Sequence, residues 1–187
     1  MERLTDRAHQ FIMPRLQFGD VAIDATAGNG HDTLFLSRSV GATGKVYAFD
    51  IQEAAIERTR RRLEEYHVTN VQILNKSHAE LRNQVPSKCR GKIAAVMLNL
   101  GYLPGSDKTW TTESQSTCQA IAHGLEWLRE GGVMSVLAYT GHPGGLTEAE
   151  QVEELFRSLS PELFSVQIVS STQPNSPRLF LLERLAR

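Results

Sequence analysis

The chain has 187 residues, of which 41% are hydrophobic and 22% charged. That suits one packed domain over 1–187 and excludes general disorder. Its 20 Lys and Arg against 21 Asp and Glu leave a net charge of -1, so bulk positive charge does not hold a nucleic acid, although a local basic patch stays open. No apolar run is long enough to span a bilayer, and Met1-Glu2-Arg3-Leu4-Thr5-Asp6 lacks the apolar stretch of a secretory signal. Cys89 and Cys118 form no CxxC and no metal-ligand spacing. No membrane, no metal and a reducing cytoplasm are the resulting expectations.

In chain order, residues 5–17 are expected to form a leading helix. A first strand over 21–25 follows the turn signal Gly19-Asp20, and a second covers 45–50. Residues 52–66 carry Ile56, Leu63 and Tyr66 on one face at helical spacing. A third strand is expected over 71–74 and a fourth over 93–98. Thr112-x-x-Gln115 has the form of a capping box. Cys118, Ile121, Leu125 and Leu128 then make an apolar stripe, and Gly131-Gly132 is expected to end that helix. A fifth strand covers 133–139. The fourth and fifth are almost continuously apolar, as strands are when helices cover both faces of their sheet. Thr147 is expected to open a helix over 147–158, with Glu148 and Glu150 near its positive end. Strands near 163–169 and 178–184 are joined by a linker too short for a crossover helix, so they should pair antiparallel. The sum is an α/β chain: a Rossmann-like, doubly wound, seven-stranded sheet, mostly parallel, with an antiparallel last strand.

The first strand runs into Asp24-Ala25-Thr26-Ala27-Gly28-Asn29-Gly30-His31-Asp32-Thr33. Gly28 and Gly30 let the backbone turn sharply and approach a ligand closely, or else make an ordinary strand-to-helix turn. Asp50 ends the second strand 20 residues after Gly30, where a carboxylate can accept both hydroxyl hydrogens of a ribose. NAD and S-adenosylmethionine both present such a ribose. NAD needs a third glycine where Thr33 stands, and Asp24 and Asp32 would repel its pyrophosphate but suit a sulfonium or an ammonium. S-adenosylmethionine is therefore the expected cofactor. Asp24 capping the next helix, and Asp32 merely lying in its first turn, are the plainer readings. Ser77 and His78 follow the third strand, where the adenine edge belongs; an exposed helix start is the alternative for His78.

Asn99-Leu100-Gly101-Tyr102-Leu103-Pro104-Gly105-Ser106-Asp107-Lys108 follows the fourth strand, at the edge where such sheets bind ligands. The Asn99 amide oxygen can accept a hydrogen from an amine nucleophile and aim its lone pair at a methyl group. Tyr102 can stack on a planar base. Tyr139-Thr140-Gly141-His142-Pro143-Gly144-Gly145 follows the fifth strand, and His142 there is either a proton acceptor, a phosphate contact or plain polar surface. Lys108 and Arg178 flank the ligand edge as candidates for RNA phosphate. Arg58, Arg61 and Arg62 point away from their helix's apolar stripe and are read as a solvated face, with Arg60 laying its stem over that stripe.

The blocks at 24–33, at 49–52 (Phe49-Asp50-Ile51-Gln52) and at 99–104 resemble the class I methyltransferases once labelled rRNA methylases. The resemblance spans nearly the whole chain, and the 99–104 block with Asp107-Lys108 is its most specific part. Characterised members methylate the amine of 5-aminomethyl-uridine, usually 2-thiolated, at the tRNA wobble position. By that resemblance Asn29, Asp50, Gln52 and His78 contact S-adenosylmethionine, and the 99–108 and 139–145 loops, including Leu103, Pro104, Tyr139 and His142, face the modified base; Thr26 of the first loop is a further expected cofactor contact. A tRNA anticodon stem-loop is the implied partner, and a homodimer would extend the reach of so small a domain. Ser106 stands where the family often has a second glycine, and 173–177 keeps the family's proline but not the residues before it. Methyl transfer to rRNA or to a small metabolite, and an NAD-dependent oxidoreductase, are the competing expectations.

Overall fold

In a computed structural model the described residues are 3–101, 112–171, 173 and 175–186. Helix α1 (Leu4–Ile12) runs into a 3-10 turn and then strand β1 (Val21–Asp24). Helix α2 (His31–Val40), β2 (Lys45–Asp50), α3 (Glu53–Glu65) and β3 (Val71–Asn75) follow. A short α4 (Leu81–Gln84) precedes β4 (Ile93–Leu100). The chain closes with α5 (Ser114–Trp127), β5 (Leu128–Ala138), α6 (Gly145–Ser158), β6 (Phe164–Val169) and β7 (Arg178–Arg184).

All seven strands join one sheet in the order β3-β2-β1-β4-β5-β7-β6. Strands β1 to β5 pair parallel, and β7 pairs antiparallel with both β5 and β6. The expected topology is thus the observed one, with β7 inserted between β5 and β6. Strand alternation sorts the apolar residues onto two faces. Ile23, Phe49, Val96 and Leu98 join Ile121, Leu125, Val152 and Phe156 from α5 and α6 in one core. Ala22, Val46, Ala95 and Met97 join Ala8 and Ile12 of α1 and Leu36 and Val40 of α2 in the other. The leading helix is therefore a structural layer of the sheet. Among the described residues no helix is long and apolar enough to cross a membrane.

Four local expectations are corrected. Gly131-Gly132 does not end α5; that helix stops at Trp127, and the two glycines lie inside β5. Gly131 takes φ +69° beside a register shift between Ile93 and Ala95, so the pair forms an irregularity that lets the strand begin five residues earlier. Thr112 does not cap α5, whose N-cap is Glu113 with no side-chain hydrogen bond. Thr147 does not open α6, which starts behind Gly144 in a left-handed conformation; Glu148 lies in the first turn as expected, and is buried there. Tyr66 leaves the apolar face of α3, half exposed, with the Arg38 guanidinium 4.6 Å above its ring.

Candidate active site

The strand order reverses between β1 and β4, and there the carboxyl ends of the strands open a crevice. The β1–α2 loop spans it. Ala25 N–H donates to the Met97 carbonyl at 2.8 Å, and Asn99 N–H donates to Thr26 Oγ1 at 2.6 Å. The two chain segments most prominent in the sequence are thus tied to each other directly.

Asp24 is fully buried at the end of β1. Its Oδ1 accepts Thr26 N–H at 3.1 Å and its Oδ2 accepts the Thr33 hydroxyl at 2.5 Å. Burial, and then the Asp32 charge, push its carboxyl up to about 7 against those two hydrogen bonds. Asp24 thus secures the loop from within, with Thr33 as its partner. Asp32, buried in the first turn of α2, takes His9 Nε2 on Oδ1 at 2.6 Å and the Asn99 side-chain amide Nδ2 on Oδ2. Its strongest contacts are therefore to α1 and β4, an arrangement that sequence spacing did not disclose.

Asp50 ends β2 with one oxygen accepting Gly28 N–H at 2.9 Å and the other accepting Gln52 N–H at 2.9 Å. Burial raises its pKa while these backbone donors oppose the shift. Each carboxylate oxygen keeps a lone pair for a further donor. Gln52 is the N-cap of α3, and Ile51 beside it is half exposed. Ser77 caps a 3-10 turn by accepting Ala79 N–H at 3.2 Å, and His78 is the first residue of that turn. His78 is buried, which removes the exposed-surface alternative. Burial lowers its pKa, its ring bonds the Ala25 backbone, and its Nε2 has no partner among the described residues.

Gly28 and Gly30 both take positive φ, as the sharp turn requires. Gly30 has φ +77°, and a Cβ there would lie 2.9 Å from the Thr59 Cα, so its close approach is to α3 rather than to a ligand. Arg58 and Arg62 are not a solvated face: Arg58 donates to Asn29 Oδ1 at 3.2 Å and Arg62 Nε to the Asn29 carbonyl at 2.7 Å. Arg60 and Arg61 do face solvent, both paired with Glu57. The signal for Arg62 lay in the helical period: Thr59 and Arg62 are three residues apart and share the face toward the loop.

At the end of β4, Gly101 sits 3.5 Å (by its virtual Cβ) from Tyr139 and 3.6 Å from His142 Nε2, so both residues stand over the start of the 99–108 loop. Tyr139 is half exposed, and burial followed by the Asp32 charge raises its pKa. His142 Nδ1 bonds the Pro143 carbonyl at 3.0 Å. Arg178 reaches the same edge, but Glu153 of α6 takes its guanidinium at 3.0 Å in a groove lined also by Glu150, Glu154 and Arg157. That ion pair competes with the phosphate contact expected of Arg178. Tyr102, Leu103, Pro104 and Lys108 lie outside the described residues. Thr112 joins the ends of that segment: its N–H donates to the Gly101 carbonyl at 3.1 Å and its hydroxyl accepts Gly101 N–H at 3.0 Å. Buried Glu148 accepts from the Thr112 and Thr117 hydroxyls, each at 2.6 Å.

These groups fit S-adenosylmethionine. Asp50 retains acceptor capacity for hydroxyls, Ile51 presents apolar surface beside it, His78 offers an unpaired ring nitrogen, and Asp32 sets a carboxylate beside Asn99 where a cation is welcome and a pyrophosphate is not. The profile of the family described as "Putative rRNA methylase" matches residues 46–183. The chain belongs to this family. It is 34% identical to a crystal structure of a family member described as a putative rRNA-methylase from Clostridium thermocellum, with a TM-score of 0.93 and 99% of both chains covered. A putative methyltransferase from Streptococcus mutans in complex with SAH is 35% identical, with a TM-score of 0.87 and the same coverage. The chloroplastic tRNA (mnm(5)s(2)U34)-methyltransferase of Arabidopsis thaliana is 40% identical over 161 residues, 81% of this chain. The chain spans 58% of that protein's length.

Proposed function

We propose that the protein is an S-adenosylmethionine-dependent N-methyltransferase acting on the 5-aminomethyl group of uridine or 2-thiouridine at the tRNA wobble position. The observation that carries this reading is the Asn99 side chain. Its Nδ2 is committed to Asp32, so its Oδ1 is the atom left to meet a donor at the switch-point crevice. A fixed acceptor there suits an N–H nucleophile. The printed activity of the Arabidopsis relative supplies the acceptor class. The reading includes one catalytic domain over 1–187, an anticodon stem-loop as partner, a homodimer to extend reach, and a cytoplasmic setting in which Cys89 and Cys118 stay as thiols.

Bound S-adenosylmethionine supplies an electrophilic methyl group on a sulfonium. The chain supplies the rest. Asp50 holds ribose hydroxyls, with Gln52 beside it, and Ser77 and His78 border the adenine. Asn99 Oδ1 accepts one N–H of the substrate amine and so directs the nitrogen lone pair. An alkylamine has a pKa near ~10 in water, and withdrawal from solvent into this crevice favours its neutral form. The secondary ammonium formed on attack sheds its proton to water, so no strong base is required of the chain. In this reading Tyr102 is assigned to hold the base, Leu103 and Pro104 to its pocket and Lys108 to backbone phosphate; Tyr139 and His142 border Gly101, and Arg178 meets phosphate by exchanging its Glu153 partner.

The test is an incubation with S-adenosylmethionine and tRNA whose wobble uridine stops at the aminomethyl stage. Nucleoside mass analysis should show one methyl group gained on that base. Methyl gain only on rRNA or on a metabolite would reject the acceptor; reduction of a nicotinamide cofactor instead would reject the reaction.

A further inference from the structure

Helix α1 brings one titratable side chain, His9, to the site, and the proposed reaction as stated gives it no task. Its ring lies flat on Phe35 of α2, with centroids 3.9 Å apart and planes 5° apart, so its orientation is set by packing. Its Nε2 stands 2.6 Å from Asp32 Oδ1, with the two side chains 26% and 8% exposed. A carboxylate oxygen can only accept, so the ring nitrogen donates. The other Asp32 oxygen accepts from Asn99 Nδ2. The groups facing Asp32 from its surroundings are Asp24, His9, His31 and Tyr139.

We propose that His9 is a positioning residue: through Asp32 it holds the Asn99 amide with Nδ2 inward and Oδ1 toward the substrate amine. The inference rests on the methyltransferase reading and deepens it. An amide has two orientations of nearly equal shape and opposite hydrogen-bond polarity. Turned over, Asn99 would set Oδ1 against Asp32 Oδ2 and present N–H donors to an N–H nucleophile. The choice between the two is made by which carboxylate oxygen faces Asn99 and whether it is free to accept. His9 anchors the far oxygen and so fixes the carboxylate plane. Thr26 holds the Asn99 backbone at the same time, so side chain and main chain are both fixed from the β1–α2 side. The chain His9–Asp32–Asn99 therefore links α1, α2 and β4 across the crevice, and the orientation of one amide depends on a helix that precedes the sheet.

Two readouts test this. In steady-state assays on the aminomethyl tRNA, His9→Ala should lower kcat about tenfold to a hundredfold with KM for tRNA and cofactor little changed. His9→Gln should recover most of that loss, because its amide nitrogen sits the same number of bonds from Cα. Independently of turnover, the Asn99 side-chain amide protons in isotope-labelled protein should show one strongly bonded, slowly exchanging proton. It should be lost in Asp32→Ala; in His9→Ala it should be weakened while S-adenosylhomocysteine binds with unchanged affinity by calorimetry. An Asn99 amide signal indifferent to His9→Ala, a KM-only defect, or failure of His9→Gln to rescue a folded protein would each overturn the proposal. If the wild-type protein methylates no aminomethyl tRNA, the functional reading fails, and the amide signal still judges the positioning chain by itself.

Discussion

In the proposed reaction Asn99 and Asp50 have separate tasks, one toward the amine and one toward the cofactor. Asn99→Ala should leave S-adenosylhomocysteine affinity nearly intact and lower turnover about a hundredfold or more, because a fixed acceptor for the nucleophile is lost. Asp50→Ala should instead weaken cofactor affinity about tenfold or more, since two charge-assisted hydrogen bonds go with it; equal affinity by calorimetry would refute the ribose assignment. Asp24 makes a pH prediction of definite sign. Its folded pKa, about 7, lies above its ordinary value of 3.8, so the folded state binds the proton more tightly. Its contribution to stability is whole below about pH 4 and is lost as pH rises through about 7. Asp24→Asn keeps an oxygen for Thr26 N–H or Thr33 and removes that loss. Denaturant melts from pH 5 to pH 8 should therefore show the wild type falling relative to the variant, with roughly 3 kcal/mol as the upper bound over that window.

Among the elements, α3 and α6 work as clamps on the two ligand loops. Gly30→Ala places a methyl group against the Thr59 backbone at a left-handed φ, and should cost about 1–3 kcal/mol in chemical denaturation and loosen cofactor binding with it. Glu148 in α6 holds Thr112, which in turn closes the two ends of the 102–111 segment. Thr112→Val should keep the fold and the cofactor affinity but raise KM for tRNA, a split that steady-state kinetics resolves. Helix α1 is legible from sequence as an amphipathic leader, yet its second role is not, because His9 meets Asp32 across 23 residues and no local period marks that pair.

For the whole molecule, a net charge of -1 limits how the proposed tRNA substrate can be held. Binding must come from a few local contacts, so the slope of log affinity against log salt should be shallower than about -3; a steeper slope would reveal a broad basic surface. The sheet itself rests on continuous burial on both faces. Phe156 of α6 packs against Phe180 of β7 with ring centroids 5.4 Å apart and planes tilted by 49°, both buried, and this contact fastens the antiparallel end of the sheet to its helical layer. Phe180→Ala should cost about 3–5 kcal/mol in a two-state melt.

Strand order, the antiparallel return of β7, the acids at the strand ends and most helices were readable along the chain; the short α4 was not. They follow from apolar period, turn residues and loop length, which are local quantities. The glycine pair at 131–132 was misleading because the same residues serve a helix stop and a strand irregularity, and only the register of β5 against β4 distinguishes them. Tertiary structure alone decided the partners: Arg58 and Arg62 on Asn29, Arg178 on Glu153, Thr112 on Glu148, and His9 on Asp32. Each of these joins charged or polar groups from different elements, and a hydrogen bond is set by a few tenths of an ångström in space rather than by a count of residues.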